Sequence, residues 1–411
     1  MQGGMNEGGM NEGRKGYRAD VVFDGERFLD GGALVLVEGG VVVAVEQGRA
    51  AAPDGVEVVH PPGTTLLPGL VNTHTHLCAD GGPSALDQLG ELTEDDLHRI
   101  VAAALHGQVA AGVTTVRDLG DQEWFVADRR AARDGLPRVL ASGPPITVGH
   151  GHCAVMGGAI AGAPGTRVPA LRAAVEARAE RGVDVVKIMA SGGVMTPGTD
   201  PAAAQFEPAE LRAVVETAHG YGLPVTAHSH ALDAVRSAVD AGVDGIEHCT
   251  SMTRRGPLLP ADVLAGLAAA RIAVCPTAGR VGRELPARTR AAMERFHLTL
   301  ETFVRHFGAL HEAGVRLLAG DDSGITPDKP HGIMPAAVAD LVSYGLSVPQ
   351  ALASATGDAA DTIGLRRVTG RLRPGLAADL LIVEGDLRRG VEALTRPVTV
   401  VVRGACTRPA G

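Results

Sequence analysis

Between residues 66 and 365 the chain alternates short apolar runs with Ala-rich amphipathic stretches, and this alternation limits the available folds more than any other feature. The strand-like runs are "TTLLPGLVNTHTHL", "GVTTVRDLG", "PRVLASGP", "GVDVVKIMAS", "GLPVTAHSH", "GVDGIEHCT", "RIAVCPT" and "GVRLLAGDDSG". Between most of them lie stretches such as "VPALRAAVEARAERG", "PAELRAVVETAHGYG" and "ALDAVRSAVDAG", with apolar residues at helical spacing and a closing Gly, as helix C-caps have. Two further helices are expected around His331–Tyr344 and Pro349–Ile363. Eight strands in alternation with helices predict an α/β fold, a (β/α)8 TIM-like barrel over 66–365. The 3% aromatic content and 55 glycines suit tightly packed Ala-, Val- and Gly-rich layers.

The two ends read differently. "ADVVFDG", "GALVLVEGG", "VVVAVEQG" and "VEVVHPPG" are β-rich runs broken by Asp-Gly and Gly-Gly, and "GLAADLLIVEGD" and "PVTVVVRGA" echo them near the C-terminus. Both ends are expected to pair as one small β-sandwich domain, residues 18–65 and 366–411. The opening "MQGGMNEGGMNEGRKG" repeats "GMNEG" and lacks an apolar core, so residues 1–17 are expected to be a disordered tail.

The net charge of −9 and the lack of a basic block argue against nucleic acid as a partner. No segment approaches the ~20 apolar residues that cross a bilayer, so no membrane partner is expected. Five cysteines, never in a C-x-x-C pair, exclude a disulfide framework or zinc knuckle and favour a reducing, cytoplasmic setting. A small-molecule substrate is the expected partner, with a homo-oligomer left open.

In such a barrel the chemistry lies where the strands end. Those ends carry His74 and His76, Lys187, His228 and His230, His248, and Asp321 and Asp322. Residues i and i+2 of a strand share a face, so His74 and His76 point to the axis together and can chelate one metal ion. The plainer reading of a strand-end His is a hydrogen-bonded core residue. Convergence of histidines from three strands and an aspartate from a fourth favours the ligand role. Lys187 sits in a buried run, where burial lowers an amine's pKa, and a neutral amine can take up carbon dioxide as a carbamate. A salt bridge from Lys187 to Asp321 or Asp118 is the bland alternative. Asp322 is expected to point away from the axis. Cys249 and Cys275 read as packing residues, and "ASGGVMTPGTDPAAAQF" as a mobile loop over the pocket rather than a phosphate loop.

"PGLVNTHTH", "VDVVKIMASGG", "VTAHSH", "GIEHCT" and "LAGDDSG", in this order, resemble the amidohydrolase superfamily, in its binuclear-metal branch with a carboxylated lysine. By that resemblance His74, His76, Lys187 and Asp321 hold one divalent metal ion and carbamylated Lys187, His228 and His248 the other. Zinc is the expected metal, and a hydroxide bridging both ions is the nucleophile. Asp321 is then the catalytic base and acid. Ala231 stands where mononuclear deaminases of the superfamily carry a glutamate, which disfavours ring deamination. "VGHGHCAVMGG", "KIMASGGVMTPGTDP" and "AGVDGIEHCTSM" look most like the imidazolonepropionase-like, Xaa-Pro dipeptidase-like subgroup. That implies hydrolysis of a peptide or N-acyl amino acid amide next to a carboxylate. His150, His152, Arg280 and Arg283 are candidates for holding that carboxylate, and His230 stands where a family tyrosine often binds substrate. Rival expectations are a cyclic amide or lactone hydrolase with the same metals, and a catalytically silent scaffold.

Overall fold

The computed structural model describes residues 13–282 and 284–407. The alternating middle forms parallel strands separated by helices, the TIM-barrel-like α/β arrangement. Leu70–Thr75, Val113–Asp118 and Arg138–Ala141 make one parallel sheet. Val186–Met189, Val225–Ala231, Gly245–Thr253 and Ala273–Cys275 run parallel in a second. Parallel bridges lie at both margins: Ile146 with Ile188 on one side, and Val274 with Leu317 and Thr75 with Ser323 on the other. The strands are buried on both faces, as parallel strands covered by helices must be.

The amphipathic stretches fold as their spacing predicts. They form Val168–Glu180, Pro208–Gly220 and Leu232–Ala241, the last ended by Gly242 in the left-handed region, where a missing Cβ removes the steric penalty. The helix expected around His331–Tyr344 spans Met334–Ser343. The one expected over Pro349–Ile363 divides into Val348–Ser354 and Gly357–Thr362.

The eighth run is no regular strand and pairs only through the bridges at Leu317 and Ser323. A side chain at Gly320 would meet Cys275 Sγ at 2.6 Å, and Asp322 has φ +55°, outside the extended region. The run therefore bends where it reaches the centre.

The chain ends build two further sheets. Lys15–Ala19, Ala33–Glu38, Val41–Gln47 and Glu57–Val59 form one. The other holds Val21–Phe23, Phe28–Leu29, Thr64–Pro68, Leu380–Glu384, Pro397–Val402 and Ala405–Thr407, in which Thr64–Pro68 lies antiparallel to Leu380–Glu384. Tyr17, Val35 and Val42 of the first and Leu66, Ile382 and Val401 of the second share one apolar cluster.

Two expected boundaries shift. Residues 15–17 of the expected tail pair with Val35–Val37 as the start of the first strand, while residues 1–12 and 408–411 lie outside the described residues. "TTLLPGLVNTHTHL" is two strands, not one. A Cβ on Gly69 would come within 2.2 Å of the Thr114 side chain, and the chain leaves the terminal sheet for the parallel sheet at that close approach.

Candidate metal centre

Alternation along Leu70–Thr75 and the residue after it turns His74 and His76 to the same side, and both rings are buried. Their Nε2 atoms lie 3.3 Å apart, and Asp322 Oδ1 is 3.4 Å from one and 3.2 Å from the other. On the far side of its ring His74 donates Nδ1–H to Glu247 Oε2 at 2.7 Å, which leaves its Nε2 a bare lone pair. His76 Nδ1 likewise faces the Gly120 carbonyl at 3.3 Å. Two imidazole lone pairs and a carboxylate oxygen thus converge with no proton between them, which fits a cation and little else.

A second group stands beside the first. Ring nitrogens of His228, His230 and His248 all lie within 4.8 Å of one another. His228 Nε2 donates to the Gly192 carbonyl at 3.1 Å, freeing Nδ1. The Thr277 hydroxyl gives its proton to Pro276 O, so it can only accept from His248 Nδ1 at 2.8 Å, and His248 Nε2 is free. His230 stacks on His248 with centroids 4.5 Å apart, its Nδ1 paired with Thr250 Oγ1 at 2.9 Å. Burial keeps these rings neutral: His74 and His230 are pushed down to about 4, and His228 and His248 well below the ordinary imidazole value. Neutral imidazole is the form that binds metal.

Lys187 is 1% exposed, and its Nζ makes no hydrogen bond among the described residues. It pairs with neither Asp321 nor Asp118. Burial lowers its pKa. An unpartnered ammonium there would be costly, so the amine is a site for something the chain itself does not supply.

The two adjacent aspartates take the opposite orientations from those expected of them. Asp321 faces away from the imidazoles: its Oδ1 accepts from Asn72 Nδ2 at 2.8 Å and from Ser323 N–H at 3.0 Å. The reason is backbone conformation. Strict alternation would turn Asp321 inward and Asp322 outward, but the left-handed φ of Asp322 breaks it and swings its carboxylate onto His74 and His76. Against the opposing effect of burial, these imidazoles hold Asp322 well below the usual carboxylate range.

Glu247 is the functional residue that the sequence reading missed. Fully buried, it accepts from His74 Nδ1, from Arg117 at 3.0 Å and from Thr226 Oγ1 at 2.6 Å, and these partners, outweighing burial, keep it ionised. His248 takes φ +65°, so the neighbouring Glu247 and His248 both reach the centre. An acid in the middle of the buried run "GIEHCT", with a buried Arg117 in the second strand run to match it, was its available signal.

His74, His76, His152, Lys187, His228, His230, His248, Arg280 and Asp322 line one cavity of about 200 Å³. His152 packs on His228 with centroids 4.5 Å apart and pairs through Nδ1 with Thr196 Oγ1. Gly193 has no room for a Cβ, which would lie 2.3 Å from His152 Nε2. His150 is exposed and lies off the cavity, because the turn at 149–151 carries it outward. Arg280 reaches the cavity already paired with Asp328. Arg283 lies outside the described residues.

The model of the amidohydrolase family matches residues 65–406. This chain belongs to the amidohydrolase family. An amidohydrolase is a C–N bond hydrolase, and the relatives agree. A Mycobacterium tuberculosis protein of uncharacterized activity is 30% identical over 366 residues, 84% of this chain and 86% of that one. Ochratoxinase of Aspergillus niger is 27% identical over 365 residues, 82% of this chain and 73% of that enzyme. Among solved structures, a Xaa-Pro dipeptidase with bound methionine superposes with a TM-score of 0.80 at 22% identity, covering 96% of this chain and all (100%) of that one. Amidohydrolases of the Xaa-Pro dipeptidase type are therefore the structural neighbours of this chain.

Proposed function

We propose that this amidohydrolase is a binuclear metal enzyme that hydrolyses the amide bond of a dipeptide or N-acyl amino acid. The frame is a closed (β/α)8 barrel over the middle of the chain, beside a β-sandwich of both ends. His74, His76 and Asp322 would hold one divalent ion, and His228 and His248 the other. Lys187, as a carbamate formed from its neutral amine and carbon dioxide with loss of a proton, would supply a carboxylate ligand to them. Imidazole and carboxylate donors favour zinc. The observation that carries this reading is the unpartnered Lys187 amine, buried on the wall of the same cavity as the two imidazole groups.

Two such ions polarise a substrate carbonyl and lower the pKa of a water toward ~7. The chain's own residues do the rest. Asp322 Oδ1 accepts the water's proton and returns it to the departing nitrogen as the C–N bond breaks. Glu247 and the Gly120 carbonyl hold His74 and His76 in the Nδ1–H tautomer. Met252, Phe303 and Phe307 form the apolar side of the cavity and exclude bulk water from the polarised bond.

Protein purified without chelator should carry two divalent ions per chain, counted by elemental analysis, and cleave members of a panel of dipeptides and N-acyl amino acids. A metal-free chain, or one active only on cyclic amides and lactones, would sink the reading.

A further inference from the structure

Beyond the ligand shell, one buried cation on the cavity wall has no assigned work. Lys329 is 5% exposed, lines the cavity and donates from Nζ to the carbonyls of Thr277 and Asp321, both at 2.7 Å. It forms no ion pair among the described residues. Burial works against its charge and Asp322, Asp321 and Asp328 support it from beyond ion-pair distance, their closer partners being His74 and His76, Asn72 and Ser323, and Arg280 respectively. A buried charge ordinarily has an opposite charge against it. An ammonium has three N–H groups, and two are used. Arg280, the other cation on this wall, is 42% exposed and already paired with Asp328, so it offers a weaker and wetter contact.

The two carbonyls also fix where Lys329 stands. Thr277 supports His248 through its hydroxyl, and Asp321 directly precedes Asp322. The ammonium is thereby placed at the wall nearest Asp322, where the flank of a bound amide must lie if Asp322 handles its protons.

We infer that Lys329 determines substrate specificity by giving its third N–H to a carboxylate adjacent to the scissile amide. This rests on the amide-hydrolase reading above and names the residue that recognises the anionic end. A charge-assisted hydrogen bond of this kind discriminates by about 10- to 100-fold.

The test uses metal-loaded enzyme and matched pairs of N-acyl amino acids, each as the free acid and as its C-terminal carboxamide. Wild type is expected to favour the acid by about 10- to 100-fold in kcat/KM. K329Q keeps two N–H donors for Thr277 and Asp321 but loses the charge. It should raise KM for the acid by a similar factor and leave carboxamide turnover within about threefold, with metal content unchanged. K329M serves as the harsher variant. Equal losses on acid and carboxamide would reduce Lys329 to a structural clamp and overturn the inference. Should neither variant fold, the wild-type ratio decides: equal rates on both members refute Lys329 recognition while leaving amide hydrolysis standing. A wild type that holds metal but cleaves neither member of any pair overturns the amide reading itself, and this inference with it.

Discussion

The exchange of roles between Asp321 and Asp322 can be tested by two conservative substitutions one residue apart. In D322N the oxygen that lies 3.2 and 3.4 Å from the two Nε2 atoms loses its charge and its ability to accept a proton. General acid–base catalysis is worth roughly 10²- to 10⁴-fold, so kcat should fall by about that factor, equivalent to ~3–5 kcal/mol of barrier. In D321N the damage is structural. The new Oδ1 still accepts from Asn72 and Ser323, but an N–H₂ replaces the buried Oδ2, which has no hydrogen-bond partner among the described residues, and its donors are left unsatisfied. That costs about 1–3 kcal/mol of folding stability, with kcat within about fivefold of wild type. Steady-state kinetics on a cleaved amide, elemental analysis and thermal unfolding separate the two. D322N should melt near wild type and turn over slowly with a reduced metal content, whereas D321N should melt low and turn over well. A D321N that is fully folded and dead, beside an active D322N, would refute the geometric argument.

Further substitutions probe the supports of the centre. E247Q removes the charge opposite Arg117 and His74; leaving Arg117 buried and unpaired should cost about 3–5 kcal/mol of stability, read by denaturant unfolding. A variant as stable as wild type would show Glu247 to be dispensable. K187A should lose activity and recover part of it with added short-chain carboxylic acids, which occupy the space of a carbamate; full activity without them would exclude a bridging role. His331, which lies outside the proposed ligand set, supplies a pH signature. Burial pushes it down to about 4, below the ordinary 6.5, so the unfolded chain binds the extra proton between those values. Its contribution to stability is complete above pH 6.5 and lost as pH falls toward 4. H331Q should flatten the stability–pH curve in that window, and an unchanged slope would show that His331 contributes nothing there.

Much of this was legible because strand periodicity is strict wherever the backbone stays extended. His74 and His76 obey it, and their shared direction followed from spacing alone. The reading of Lys187 as a buried amine also rested on local sequence, since an apolar run on both sides leaves a lysine nowhere wet to go. Periodicity failed at His248 and Asp322, two cavity-lining residues whose backbone is left-handed, and nothing in one sequence announces a positive φ at a non-glycine residue. His150 and His152 show the same limit in a loop. Two residues of one type, two positions apart, end on opposite sides of the wall because a turn comes between them.

Those left-handed residues join fold to chemistry. Backbone strain at His248 and Asp322 costs of order 1–3 kcal/mol each and persists only when surrounding contacts fix it. At Asp322 the fixing contacts are its N–H to the His74 carbonyl at 2.8 Å, and Asn72 on either side. Asn72 Oδ1 accepts from the N–H groups of His74 at 3.2 Å and Asp321 at 3.3 Å, while its Nδ2 donates to the Asp321 carboxylate. One side chain therefore ties the strand that carries the histidine pair to the segment that carries the acid. Asp321 thus contributes, through Asn72, to the bend that turns Asp322 toward His74 and His76, a contribution to folding rather than to turnover.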